Sequence, residues 1–124
     1  MKKFYIEPQL EKSPLVSFNP TSGIFKIVGD ILLNQEETKL FFAPVIDWLK
    51  NYIQKPNLQT VLVLDLGYYN EQATNSIIRL INVLGQISSS SIQWLMDEDD
   101  EDQEEMGKYL ASLITIPLTI QFST

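Results

Sequence analysis

One run of seven residues limits the possible folds more than any other feature of the sequence. Residues 60–66 read Thr-Val-Leu-Val-Leu-Asp-Leu, with apolar and mostly branched side chains at nearly every position. A strand with one solvated face alternates apolar and polar residues, whereas an unbroken apolar run is typical of a strand covered on both faces. The run therefore predicts a central strand of an α/β sheet that is buried on both sides.

Helical segments flank this strand. Residues 34–55 are predicted to be helical in two pieces, and apolar side chains recur at helical spacing in the second piece from Val45 onward. Pro44 fits the first turn of that second piece, because the first N–H groups of a helix have no intrahelical partner. After the strand, Asn70 is a natural N-cap for a second helix that begins at Glu71.

The remaining segments complete an alternating pattern. Residues 15–18 and 23–28 predict a β-hairpin, because turn-forming residues separate two short β-prone runs. The predicted later elements are a strand at 91–96, a helix at 103–113 and a strand at 115–122, in which Pro117 indicates a sheet edge or a bulge. Strands joined by helices predict parallel pairing with right-handed crossovers.

We therefore expect one α/β domain over residues 1–124, with a mixed sheet of four to five strands, an N-terminal β-hairpin and about three helices packed on the sheet. The side chains expected in its core are Val45, Trp48, Leu49, Val61, Val63, Ile77, Leu80, Ile81, Leu84, Trp94 and Ile116.

The composition restricts the chemistry. The 124 residues include no Cys and no His, which removes thiol nucleophiles, imidazole bases and the usual zinc ligands. The five glycines form no phosphate-binding loop. We therefore expect a protein that is not an enzyme and needs no cofactor.

No apolar run approaches the roughly 20 residues that span a bilayer, and the basic N-terminus lacks the features of a signal peptide. A cytoplasmic location without membrane association is the expectation.

The net charge of −7 is concentrated in one place. Residues 97–105, the acidic segment, hold eight of the sixteen acidic side chains, and the rest of the chain is nearly neutral. Nucleic acid is not an expected partner, because no basic face is visible. One interpretation is an acidic docking face for a basic protein, formed by Asp97, Asp99, Asp100 and Asp102. The alternative is a module that binds a metal or a small ligand, although a calcium loop requires Gly where Asp102 stands.

Glu71 follows the central strand at the predicted start of the second helix. Unpaired N–H groups at a helix N-terminus favour negative charge, and sites in α/β sheets gather at the carboxyl ends of strands. An ordinary first-turn acid would also stand there, so the position alone leaves both interpretations open.

Several segments together resemble the SiaC-type regulatory phosphoproteins. They are Ser13–Phe18, Phe42–Leu49, the Tyr68-Tyr69-Asn70 turn, the strand with Trp94, the acidic segment and Ile116-Pro117-Leu118. The resemblance covers nearly the whole chain and implies a fold like that of STAS domains, the anti-sigma-factor-antagonist class. It also implies a bacterial signalling protein that switches partners. In the family, a Ser/Thr kinase phosphorylates the protein and a PP2C-like phosphatase reverses this. The unphosphorylated form of the best-known member binds and activates a diguanylate cyclase and so controls cyclic-di-GMP.

The family's phosphoacceptor turn usually reads Tyr-Phe-Asn-Thr-Ser-Ser, and this chain departs from it. Tyr68, Tyr69 and Asn70 match the first three places, Glu71 takes the place of the acceptor Thr, and Gln72 and Ala73 replace the serines. The resemblance implies partner contacts at Tyr68, Tyr69, Asn70, Gln72, Thr74 and Asn75. Three accounts of position 71 follow: Glu71 partly mimics the phosphorylated state, the switch has been lost, or Thr74 is the acceptor.

Overall fold

The computed structural model describes residues 1–123 and shows a six-stranded mixed sheet with three helices. The elements are β1 (Phe4–Ile6), β2 (Leu15–Asn19), β3 (Ile24–Gly29), α1 (Gln35–Tyr52), β4 (Thr60–Leu66), α2 (Glu71–Leu84), β5 (Ser90–Met96), α3 (Glu101–Leu113) and β6 (Leu118–Phe122). The strands lie in the sheet in sequence order. The pairs β1–β2 and β2–β3 are antiparallel, and β3 through β6 are parallel. The predicted α/β class and hairpin are confirmed.

The sheet has more strands than the four to five predicted. The additional strand is β1, which pairs with β2 through three residues only. Three residues are too few to show a periodic pattern, so the sequence gives no signal for it.

The three helices lie on the same face of the sheet. Trp48 of α1 packs against Phe18 and Phe25, whose side chains point from β2 and β3 toward that helix. At the other end of the sheet, Gly107 of α3 lies directly against Trp94 of β5. Trp94 is on the same face. In the β-sheet register Phe18 and Phe25 lie beside Leu62 of β4, Trp94 lies beside Leu64, and residues two apart on a strand point to the same face. The hydrophobic core therefore lies between one sheet face and one helical layer.

The expectation that β4 is buried on both faces is met only in part, because Val63 is buried on the second face whereas Val61 and Asp65 on that face are partly exposed. No helix of residues 1–123 covers the face that carries Val63. In the sheet register, Lys26 of β3 and Gln93 of β5 flank Val63, which is only 9% exposed. Long polar side chains can cover an apolar neighbour with their aliphatic stems while their heads stay in water. The apolar run of β4 is therefore sheltered by its neighbours within the sheet rather than by a second layer.

The prediction of two helical pieces around Pro44 is also wrong, because α1 is continuous. Its N-terminus has a capping box in which Asn34 and Glu37 exchange side-chain-to-backbone hydrogen bonds. Pro44 is the tenth residue of the helix and is exposed. The buried positions on α1 run without interruption past the proline: Thr38, Phe42, Val45, Ile46, Leu49 and Tyr52.

Most of the predicted core is buried. Eight of the eleven predicted side chains are at most 9% exposed, whereas Trp48, Val61 and Ile116 are only partly buried. Trp48 lies over the aromatic end of the core near the sheet edge at β1.

Among the helices of the described residues, none combines the length and apolarity needed to cross a membrane.

Candidate functional site

The turn after β4 is fixed to the end of β3. The Tyr68 N–H donates to a carboxylate oxygen of Asp30 at 2.8 Å, and the Tyr68 carbonyl accepts from the Ile31 N–H at 2.8 Å. A Cβ atom at Gly67 would collide with the Asp30 carboxylate. Glycine at this position therefore allows the two chain segments to approach, and the carboxyl ends of β3 and β4 form one unit.

Asn70 joins the start of α2 to the segment before α1. Its Oδ1 accepts from the Ala73 N–H at 2.9 Å, as the sequence predicts for an N-cap, and its Nδ2 donates to the Leu33 carbonyl at 3.0 Å. An aspartate could make the first bond but not the second, because it has no donor when ionised. The amide thus determines both where α2 begins and which way it points.

Glu71 is the first residue of α2, and its side chain is exposed. It shares a shallow depression with Gln35, Gln72 and Asn75. Its carboxylate lies at the end of the helix where negative charge is favoured. Thr74 is the fourth residue of α2, and its hydroxyl donates to the Asn70 carbonyl at 3.2 Å.

Gln103 links the turn to α3. The Tyr69 hydroxyl donates to Gln103 Oε1 at 2.6 Å, and Gln103 Nε2 donates to the Leu66 carbonyl at 2.7 Å. The backbone carbonyl of Gln103 accepts from the Trp94 indole N–H at 2.9 Å. Gln103 is 9% exposed and so connects β4, β5 and the turn. Sequence reasoning missed this residue, although the single amide within the acidic segment was a signal for it.

The acidic segment runs into α3, which begins at Glu101 rather than at the predicted Gln103. Asp100 is the N-cap, with Oδ1 accepting from the Gln103 N–H at 3.1 Å, and four acids lie within the helix. Burial raises the pKa of Tyr69 to about 12, and the nearby charges of Asp100 and Asp102 contribute to the shift. Two predicted sites, the turn at 68–70 and the acidic segment, therefore meet at Tyr69.

The acidic segment does not form a metal site in the structure. Asp97, Asp99 and Asp102 are exposed, and they border an open depression together with Asp100. Within residues 1–123, no three acidic side chains converge as metal ligands would. The geometry gives the metal-binding alternative no support.

A groove of about 320 Å³ separates α2 from α3 next to this turn. Four predicted partner-binding residues line it, namely Tyr69, Asn70, Thr74 and Asn75, and so does Glu71. Gln72 lies in the neighbouring depression, and Tyr68 is 60% exposed outside the groove. The sequence missed the apolar lining of the groove, which consists of Ile78, Met106 and Tyr109. Tyr109 is 53% exposed although it lines a concave surface.

Comparison with known proteins identifies the family. The sequence model of the SiaC family regulatory phosphoprotein matches residues 7–123. The chain belongs to the SiaC family. A search of curated proteins finds no significant match.

Solved SiaC structures share the fold. The crystal structure of diguanylate cyclase SiaD in complex with its activator SiaC from Pseudomonas aeruginosa contains a chain that aligns with a TM-score of 0.87 at 21% identity. The alignment covers 97% of this chain and 99% of that chain. Apo-SiaC from Pseudomonas aeruginosa aligns with a TM-score of 0.85 at 21% identity, over 98% of this chain and 99% of that one. The predicted family and fold are therefore confirmed.

Proposed function

We propose that this SiaC family member is a non-enzymatic regulator that binds a protein partner through the N-terminus of α2 and the groove between α2 and α3. The observation that carries the proposal is the Gln103 side chain, which joins the turn after β4 to the first turn of α3. Binding surfaces that are already rigid lose less entropy on association. This linkage supports a preformed contact surface at the carboxyl end of β4.

The chemistry of the groove indicates what kind of partner fits. Ile78, Met106 and Tyr109 supply apolar and aromatic surface, which suits an apolar anchor side chain of the partner. Glu71 lines the groove, and the charges of Asp100 and Asp102 lie close to Tyr69 at one end of it. Opposite charge on the partner speeds association and makes it sensitive to salt. We therefore expect a partner with apolar anchors surrounded by Lys and Arg.

A diguanylate cyclase is the partner that we propose. The support is that SiaC of Pseudomonas aeruginosa, which shares this fold, is the activator of the diguanylate cyclase SiaD. By family resemblance, a Ser/Thr kinase and a PP2C-like phosphatase are further proposed partners. Control of cyclic-di-GMP production would then be the output of the interaction.

We further propose that position 71 carries a fixed charge instead of a switchable one. A Glu has one negative charge and two acceptor oxygens, whereas phosphothreonine has about 1.5–2 charges and three oxygens, so mimicry of the phosphorylated state is partial. Thr74 is a poor substitute acceptor, because its hydroxyl is bonded to Asn70 within the helix and a kinase would have to unwind the first turn. Either account of Glu71, partial mimicry or loss of the switch, leaves the affinity for partners independent of phosphorylation at this position.

The binding surface is tested by calorimetric titration of the full chain into the diguanylate cyclases of the source genome, with cyclic-di-GMP production as a second readout. We expect Tyr109→Ala and Ile78→Ala to weaken the interaction roughly 5- to 30-fold, which corresponds to a loss of about 1–2 kcal/mol per anchor. Leu40→Ala is the matched control, because Leu40 is a 68% exposed apolar residue on α1. Equal effects of groove and control variants, or no binding to any cyclase, would contradict the proposal.

The role of position 71 is tested by restoring the acceptor. With the cognate kinase and Mg-ATP, Glu71→Thr should gain one phosphate in intact-mass spectrometry and the native chain should gain none. The double variant Glu71→Thr, Thr74→Ala should still gain the phosphate, which separates the two hydroxyls. A native chain that is phosphorylated at Thr74 would show that the switch has moved instead of being fixed.

A further inference from the structure

The strand β6 forms one edge of the sheet, and no strand of residues 1–123 pairs with its outer side. Its hydrogen bonds to β5 begin at the Pro117 carbonyl, which accepts from the Ile92 N–H at 2.9 Å, and end at the Ser123 N–H, which donates to the Met96 carbonyl at 2.7 Å. In a parallel ladder, alternate residues bond to the neighbouring strand. The N–H and C=O groups of Leu118, Ile120 and Phe122 therefore point away from the sheet.

This edge lacks the features that usually prevent strand pairing. Natural edge strands are protected by charged side chains, by proline within the strand or by very short length. The opposite edge strand, β1, has three residues and stands between Lys2-Lys3 and Glu7-Pro8. In contrast, β6 has five residues, and residues 114–124 contain no charged side chain in a chain of net charge −7. Phe122, at the end of β6, is 53% exposed.

We propose that β6 pairs antiparallel with β6 of a second copy of this chain, with a two-fold axis at Ile120. In this register Ile120 faces its own counterpart, and Leu118 of one copy faces Phe122 of the other. Each of these hydrogen-bonded pairs exchanges two backbone bonds, so all outward-pointing groups of the three residues are satisfied. Thr119 of one copy faces Gln121 of the other in the closer, non-hydrogen-bonded arrangement. The result is one continuous sheet across two copies.

The distribution of charge favours a second copy in this orientation. The acidic segment lies beside the carboxyl end of β6, where the Ser123 hydroxyl donates to Asp97 at 3.3 Å. Antiparallel pairing places the acidic segments of the two copies at opposite ends of the joined strands. Parallel pairing would bring them together, where like charges repel. A two-fold arrangement is also closed, because each edge is occupied by the other copy.

The first test is sedimentation of the full chain and of two charge variants, from about 1 μM to about 1 mM, the range in which weak interfaces associate. Thr119 and Gln121 are exposed, so both variants should keep the fold, which circular dichroism checks. Thr119→Lys with Gln121→Lys places like charges opposite each other twice and should raise the dissociation constant of the dimer about tenfold or more. Thr119→Lys with Gln121→Glu places opposite charges at the same two sites and should keep or strengthen the dimer.

The second test needs no variant. Amide exchange measured by NMR at low and high protein concentration should show that the Leu118, Ile120 and Phe122 amides become protected only at high concentration. The Thr119 and Gln121 amides should be protected at both, because they bond to β5. The proposal is overturned if the native chain stays monomeric up to the highest concentration. It is also overturned if the variant with two lysines dimerises as strongly as the native chain, or if the variant with opposite charges fails to dimerise. Capture of a strand from a different protein by a monomeric chain would overturn it equally.

Discussion

Tyr69 and Gln103 are 34 positions apart in the sequence, and the Tyr69 hydroxyl donates to Gln103 Oε1 at 2.6 Å. Tyr69 lies in the turn before α2, and Gln103 lies in the first turn of α3. Because Gln103 also donates to the Leu66 carbonyl and its own carbonyl accepts from Trp94, the bond is part of a network that reaches two central strands. The position of the acidic segment relative to the α2–α3 groove depends on this network.

Gln103→Ala should lower the free energy of unfolding by about 1–3 kcal/mol, because the Leu66 carbonyl and the Tyr69 hydroxyl lose their partner. Urea denaturation at neutral pH measures the change. Gln86→Ala is the control, since Gln86 is exposed just after α2 and should stay within about 0.5 kcal/mol of the native value. A double-mutant cycle with Tyr69→Phe should give a coupling of about 0.5–1.5 kcal/mol. Strict additivity would show that the bond does not contribute in solution.

Tyr69 should make stability depend on alkaline pH. Burial, with the charges of Asp100 and Asp102, raises the pKa of its hydroxyl from 10.0 to about 12. Between these values the folded chain keeps a proton on Tyr69 that the unfolded chain has lost. The stabilisation is therefore fully present below pH 10.0 and is lost as the pH rises toward about 12.

The check is the urea midpoint at a series of pH values across this window. Tyr69→Phe should show a smaller fall in stability than the native chain, because it has no proton to lose at this position. Tyr68→Phe is the matched control, since Tyr68 is the neighbouring tyrosine and its side chain is 60% exposed. Identical profiles for the native chain and Tyr69→Phe would show that Tyr69 titrates normally.

The features predicted correctly from the sequence are those that local chemistry determines. Asn70 caps α2 because its side chain reaches the N–H of a residue three positions later. The open face of the sheet could not be predicted, because the shelter of Val63 comes from Lys26 and Gln93, which are distant in sequence and adjacent only through the β-sheet register. The role of Gln103 depends likewise on where α3 lies relative to β4.

The continuity of α1 shows a second limit of local reasoning. A proline inside a helix removes one hydrogen bond and crowds the preceding turn, which favours a break. The break does not occur, because Phe42 and Val45 on either side of Pro44 are both buried in the same core. The free energy of their burial, about 1.5–3 kcal/mol for each side chain, outweighs the local penalty. Tertiary packing thus decides the structure at this position.

Pro44→Ala should accordingly stabilise the protein by about 2 kcal/mol, because alanine restores the missing N–H and relieves the crowding without disturbing a buried side chain. Thermal and urea unfolding measure the gain. Pro56→Ala is the matched control, and it should change stability in the opposite direction. Pro56 is exposed beyond the end of α1, and its replacement should lower the free energy of unfolding by about 0.4–1 kcal/mol, because the unfolded chain becomes more flexible. No gain for Pro44→Ala would mean that α1 has already adapted to the proline.

Gly107→Ala should destabilise the protein although alanine is the better helix former. A Cβ at Gly107 would lie 2.8 Å from Trp94 Cδ1, which is closer than real contacts allow, and 3.2 Å from Ile120 Cδ1, which is tighter than most real contacts. The overpacking costs about 1–3 kcal/mol and opposes a gain in helix propensity of about 1 kcal/mol. We expect a net loss of about 1 kcal/mol and a shift of the Trp94 indole N–H resonance, because displacing the ring changes the hydrogen bond from this N–H to the Gln103 carbonyl.

Gly85→Ala separates this steric effect from the general effect of replacing glycine. Gly85 follows α2 with a φ of −63°, and its nearest contact for a Cβ would be an ordinary 3.4 Å. Alanine should therefore be neutral or stabilising there by up to about 1 kcal/mol. If Gly107→Ala is as stable as Gly85→Ala and leaves the indole resonance unchanged, α3 does not press on Trp94. The packing of α3 against β5 would then be looser than the 2.8 Å distance indicates.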